Sequence, residues 1–188
     1  MLNLGVAIAG GAGKRRDLDF YATPWEATAA LCDAVELPRL VWEPACGDGA
    51  MTELLKSRGH GVVSSDIVDR GYDSLVVIGD FLTETRAPLT GDFAVVTNPP
   101  FNLAEEFIRH ALTFTPKVAM LLKATFANAA KRLPLFEEFP PSHVLPLTWR
   151  LDFTGGGSPT MDCAWFVWGY PGQTFRPLPK PTLPEYLQ

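Results

Sequence analysis

The chain has 188 residues, 47% of them hydrophobic and 20% charged, with a formal net charge of −5. Those values fit one domain with a sizeable core and exclude a general basic nucleic-acid coat, so any contact with DNA or RNA must use a local patch. Cys32, Cys46 and Cys163 are scattered, without a CxxC pair or a histidine at metal-ligand spacing, so a reducing cytoplasm and no structural metal are expected.

Taken in chain order, residues 1–18 read as a flexible basic arm. Leu2 to Ala9 is apolar, but no basic region precedes it and Lys14-Arg15-Arg16 follows, the reverse of a signal peptide. No run reaches transmembrane length, so no membrane contact is expected. Gly13-Lys14 does not complete a phosphate-binding loop, because Ile8 stands where that motif needs glycine and Arg15 where it needs Ser or Thr. Thr23-Pro24 reads as an N-cap and first-turn proline, opening a helix to about Val35.

Short apolar runs and helical segments then alternate. Strands are expected at Leu40 to Trp42, Gly61 to Ser65, Ser74 to Ile78, Phe93 to Thr97 and Lys117 to Leu122. Helices are expected at Met51 to Ser57, Leu103 to Phe114 and Ala129 to Glu138. Val144 to Phe153 and Cys163 to Tyr170 read as two consecutive strands joined by the glycine-rich loop 154–160. The alternation predicts an α/β domain over 19–170, a mostly parallel seven-stranded sheet with helices on both faces and a closing antiparallel hairpin. The segment 171–188, with prolines at 171, 177, 179, 181 and 184, should be an extended, exposed tail.

Two stretches carry chemistry. Glu43-Pro44-Ala45-Cys46-Gly47-Asp48-Gly49 follows the first strand, where glycines permit a tight turn and close backbone approach to a ligand. Asp66 ends the next strand, about where a ribose-binding carboxylate belongs in such a sheet, and Asp80 ends the third. A complete GxGxxG is missing, so a ligand with adenosine but no pyrophosphate fits better than a dinucleotide. Asn98-Pro99-Pro100-Phe101 leaves the fourth strand. Its prolines stiffen the backbone and its carbonyl acceptors sit beside an aromatic face, a combination suited to holding a planar group with an NH2. Cys46 reads as a small buried residue, and His60, His110 and His143 as isolated.

These motifs together resemble the amino-group DNA methyltransferases that use S-adenosylmethionine, specifically the adenine-N6 branch. Asp19-Phe20-Tyr21-Ala22-Thr23-Pro24 is similar to that family's N-terminal motif, Glu43 to Gly49 to its cofactor loop, and Asn98 to Phe101 to its catalytic tetrapeptide. Their order is that of the gamma arrangement. The resemblance implies a Rossmann-like class I methyltransferase fold. It puts Phe20, Thr23, Glu43, Ala45, Gly47, Asp66, Ile67, Asp80, Phe81 and Asn98 around the cofactor. Phe20 and Thr23 would meet its methionine end, Glu43 its amino group, Asp66 the ribose, and Asp80 with Phe81 the adenine. Asn98 Oδ1 and the Pro99 carbonyl would accept both hydrogens of the target NH2, Pro100 would stiffen the turn, and Phe101 would stack on the base.

The family's large target-recognition domain has no counterpart in this sequence. The resemblance therefore implies relaxed specificity, a single-stranded DNA substrate or a partner subunit, and the compact form is familiar from phage and prophage genomes. Lys14, Arg15, Arg16, Lys123 and Arg150, with Trp149 nearby, are the expected nucleic-acid contacts, and Lys131 and Arg132 could extend them. RNA adenine or protein glutamine as acceptor, and a cofactor-binding module without turnover, remain as alternatives.

Overall fold

The structure, a computed structural model, describes residues 22–157, 159 and 161–182. The expected basic arm and Phe20 lie outside these residues.

The order of elements is α1 (Trp25–Ala34), β1 (Leu40–Glu43), α2 (Ala50–Ser57), β2 (Gly61–Asp66), β3 (Val77–Ile78) and β4 (Phe93–Thr97). Then follow α3 (Ala104–Phe114), β5 (Val118–Lys123), α4 (Leu133–Glu138), β6 (His143–Pro146), β7 (Cys163–Trp168) and β8 (Thr174–Phe175). One sheet runs β3-β2-β1-β4-β5-β7-β6-β8. Strands β1 to β5 pair parallel, β7 runs antiparallel to both β5 and β6, and β8 joins β6 parallel. The fold is α/β with a mostly parallel sheet.

The central strands are near-continuous apolar runs because both sheet faces are covered. Successive side chains point to opposite faces, so each strand feeds two cores. Val41, Ala94, Val96, Ala119, Leu121, Trp165 and Val167 meet Ala27 and Leu31 of α1 and Met51 and Leu55 of α2. Trp42, Val95, Met120, Leu122 and Phe166 meet α3 and Leu135 of α4. Ala104, Phe107, Ile108 and Ala111 are the buried residues of α3, at the i, i+3, i+4, i+7 spacing of one helical face. The deepest tryptophans keep hydrogen-bond partners: Trp42 Nε1 donates to Ser65 Oγ at 2.9 Å and Trp165 Nε1 to the Ala27 carbonyl at 2.8 Å.

Four boundaries differ from the sequence expectation, each for a local reason. The sheet has eight strands, not seven, because the proline-rich segment adds an edge. The N–H groups of Thr174, Arg176 and Leu178 donate to the carbonyls of Ser142, Val144 and Pro146. Pro177 and Pro179, which have no N–H, alternate with those donors and interrupt nothing. The segment is therefore not uniformly exposed: Phe175 is 72% exposed, but Leu178 is 3% exposed and joins the core. Strand β6 stops at Pro146 instead of running to Phe153, and beyond it the pairing is reduced to isolated bridges, Leu147 with Leu178 and Leu151 with Met161. Helix α4 begins only at Leu133, since Pro134 is tolerated in a first turn and not inside a helix. Finally, β3 keeps two of its five expected residues, the chain before it being a loop.

Candidate active site

Strand order reverses between β1 and β4, which lie side by side with Trp42 opposite Val95. Ligands of open parallel sheets bind beyond the strand ends at such a switch point. The loop after β1 and the tetrapeptide after β4 both leave from this place, flanked by the ends of β2 and β3.

Gly47 and Gly49 adopt φ of +58° and +83°, which favours glycine at both positions. The Gly47 N–H donates to Asp66 Oδ2 at 2.8 Å and the Val68 N–H to Asp66 Oδ1 at 3.0 Å. Asp66, 7% exposed, therefore ties the loop to its own strand end and keeps lone pairs for a further donor. Glu43 is 2% exposed and accepts from the Thr52 hydroxyl of α2. Burial raises its pKa well above the ordinary carboxylate range, and the nearby carboxylates of Asp66 and Asp48 push the same way. Burial also lifts the Cys46 thiol to about 12, leaving it inert. Ala45 is half-buried against the second core.

At the neighbouring strand end, Asp80 Oδ1 accepts from the Leu82 N–H at 3.0 Å and caps a short 3₁₀ turn, Phe81–Thr83. Phe81 itself is part of the second core. Its ring is 3% exposed, with centroids of Trp42, Phe107 and His110 at 5.1, 4.9 and 5.0 Å. With those contacts filled, exposed Ile67, Val77 and Ile78 and half-buried Leu82 are among the apolar side chains at this edge.

Thr23 does not cap α1. Pro24 occupies the cap position and no side chain bonds the first-turn N–H groups, because the Ala27 N–H already meets the Pro24 carbonyl. The Thr23 hydroxyl instead accepts from Asn98 Nδ2 at 3.2 Å, while Asn98 Oδ1 is buried without a hydrogen-bond partner. Pro99 is buried and Pro100 is extended at φ −53°, ψ 124°, its carbonyl accepting from the Leu103 N–H at 2.9 Å.

Strand β6 runs parallel to β4, so the loop after β6 reaches the same end of the sheet. The Phe153 ring in that loop stands edge-on to Phe101, with centroids 6.4 Å apart. Lys123 Nζ lies 5.2 Å from the Phe101 ring centroid. A shallow cavity of about 50 Å³ opens beside them, lined by Phe101, Ala104, Leu122, Lys123, Thr125, Phe126 and Arg132. The remaining basic residues differ in state. Arg150 Nε pairs with Asp162 Oδ1 at 3.1 Å, and Arg132 donates to the Phe126 carbonyl at 2.5 Å and stacks on that ring. Trp149 packs against the first core. Lys14, Arg15 and Arg16 lie outside the described residues.

Sequence reasoning missed Tyr72. It comes from the connector between β2 and β3, lies over Gly49, and holds its hydroxyl between Glu53 Oε1 at 2.5 Å and Lys56 Nζ at 2.9 Å. Phe153 was missed too, its only signal being an aromatic residue at the start of the glycine-rich loop.

No family model and no curated protein matches the chain. Solved structures do match. A candidate RNA methyltransferase of Pyrococcus horikoshii aligns at TM-score 0.61 and 16% identity, over 80% of this chain and 85% of that one. A candidate class I S-adenosylmethionine-dependent methyltransferase of Listeria monocytogenes aligns at TM-score 0.57 and 10% identity, over 82% and 62%. The M protein of the type I restriction enzyme EcoKI aligns at TM-score 0.57 and 14% identity, over 88% of this chain, which spans 50% of that protein. Among the described residues, no helix is long and apolar enough to cross a membrane. The chain has the Rossmann-like fold of the class I methyltransferases.

Proposed function

We propose that the chain transfers a methyl group from S-adenosylmethionine to the exocyclic amino group of adenine in DNA. The observation that carries this reading is Asn98. Its Oδ1 is buried, unpartnered and set at the switch point, while its Nδ2 is tied to Thr23. An orphaned buried acceptor is costly to keep, and a ligand NH2 is what would satisfy it. The donor side also fits the cofactor: the carboxylates of Asp48 and Asp66 lie near the buried Glu43, which suits a ligand bearing ammonium and sulfonium charges.

When bound, the cofactor supplies an electrophilic methyl group. Asn98 Oδ1 and the Pro99 carbonyl accept the two hydrogens of the target NH2. This draws the nitrogen lone pair out of conjugation and aims it in line. That nitrogen would take the methyl group as its bond to sulfur breaks, and the surplus proton would go to water. Positioning and fixed dipoles supply the rate gain. Phe101 offers a face to a base turned out of its stack, with Phe153 bounding the space. Asp66 would accept from ribose hydroxyls and Asp80 from the cofactor's adenine amino group.

The EcoKI M protein, part of a type I restriction enzyme, supports DNA as the acceptor and a partner subunit. The Pyrococcus horikoshii likeness favours RNA as the acceptor in a second reading. Labelled S-adenosylmethionine offered with DNA, RNA or bacterial protein extract decides between them. Label recovered as 6-methyladenine from DNA, lost in Asn98→Ala with cofactor affinity retained, is the expected result. Label confined to RNA or protein overturns it.

A further inference from the structure

Thr23 and Asn98 lie far apart in sequence, one before α1 and the other after β4, yet their side chains meet at 3.2 Å. We infer that Thr23 is a positioning residue for Asn98, anchoring its amide through Nδ2 while Oδ1 faces the acceptor; this rests on the reaction proposed above.

Two further observations carry it. First, the Thr23 hydroxyl is spared the capping role its sequence suggests, because Pro24 takes that position and its carbonyl already holds the Ala27 N–H. Second, Thr23 is 8% exposed, so bulk water does not replace it as the partner of Asn98 Nδ2. An asparagine amide can rotate by half a turn with little change in shape, exchanging an acceptor for two donors. Two donors facing the target NH2 would repel it. A threonine hydroxyl can accept or donate, so the contact fixes where the amide sits, with Nδ2 toward Thr23, and a target NH2 then favours the orientation that turns Oδ1 to it. Donation by Nδ2 also polarises the amide and makes Oδ1 a stronger acceptor, since linked hydrogen bonds reinforce one another. Thr23 acts through Asn98, whereas the sequence pattern placed it against the cofactor. The two roles separate experimentally.

Thr23→Val removes the hydroxyl at nearly constant shape, and Thr23→Ser restores it. Single-turnover methyl transfer should fall roughly 10- to 100-fold in Thr23→Val, the scale of a misplaced catalytic group. Affinity for S-adenosylmethionine should stay within about two-fold, and Thr23→Ser should recover most of the rate. A loss of affinity with an unchanged single-turnover rate overturns the inference and returns Thr23 to the cofactor. A second measurement stands apart from turnover. In protein labelled with 15N in asparagine side chains, the Asn98 NH2 resonances, assigned by their loss in Asn98→Ala, should shift in Thr23→Val and return in Thr23→Ser. Unshifted resonances overturn the inference. If the wild-type protein labels no acceptor, the proposed reaction fails, while these resonances still decide the role of Thr23.

Discussion

The Gly47 N–H donates to Asp66 Oδ2 at 2.8 Å, so the loop after β1 is held by the strand end beside it before any ligand arrives. The carboxylate takes a second backbone donor from Val68. Asp66→Ala would leave two N–H groups without their acceptor at a site 7% exposed, costing about 2–4 kcal/mol of stability. Cofactor affinity should fall in the same variant. Chemical denaturation and equilibrium binding, with Asn98→Ala as the stable reference, check both parts. Weakened binding at unchanged stability would mean that Asp66 does not tether the loop.

Gly49 answers to a side chain rather than to a ligand. A Cβ built there would sit 2.4 to 2.6 Å from three Tyr72 ring atoms, and the backbone φ is +83°. Gly49→Ala should therefore cost more than the ~1–2 kcal/mol of a left-handed conformation alone. In a Tyr72→Ala background the ring is gone and only the backbone penalty remains, so the same substitution should cost about 1 kcal/mol less. A double-mutant cycle by urea denaturation measures the difference. Strict additivity would show that the ring and Gly49 do not compete for space.

How much of this was legible in the sequence depends on how local the cause is. The buried runs Phe93–Thr97 and Val118–Lys123 state their strands through composition, and α3 states its face through spacing. Asn98 to Phe101 could be read because its prolines constrain their own backbone. Thr23 was misassigned because its partner is remote: a Thr-Pro pair carries the signature of a cap and holds no trace of Asn98. The burial of Phe81 was illegible for a similar reason, since an aromatic residue after Asp80 looks the same whether or not it packs on Trp42 and Phe107. The eighth strand was hidden by the prolines that seemed to forbid it. Nothing local announces that the free N–H groups of Thr174, Arg176 and Leu178 share one edge.

Glu43 predicts a pH dependence. Its folded-state pKa is raised well above 4.5, first by burial. A carboxyl raised in this way favours the folded state while protonated. That contribution is complete below the unfolded pKa and is lost as the pH climbs through the folded one. Stability from this group therefore declines from about pH 4.5 upward. Glu43→Gln keeps the size, retains an acceptor for the Thr52 hydroxyl and cannot titrate. The melting temperature of Glu43→Gln minus that of the wild type should grow as the pH rises from 5 to 9. Parallel curves over that interval would mean that Glu43 titrates equally in both states.

Lys123 and Arg150 should contribute unequally to nucleic-acid binding although both are exposed. Arg150 already holds Asp162 at 3.1 Å, an open contact with side chains 60% and 63% exposed. Placing a phosphate there requires breaking that contact or accepting the Asp162 charge beside it. Lys123 leans on the Phe101 ring at 5.2 Å, at the mouth of the acceptor space, where a backbone phosphate gains its full charge. Each lysine that neutralises one phosphate contributes about 0.9 to the slope of log affinity against log salt on duplex DNA, and about 0.7 on single strands. Lys123→Ala should lower that slope by about one such step, while Arg150→Ala should change it by less than half as much. Fluorescence anisotropy with a labelled oligonucleotide across 50 to 200 mM salt, roughly the range over which phosphate contacts are titrated, gives both slopes. Equal losses would place Arg150 on the phosphate track and make its pairing with Asp162 a contact that binding replaces.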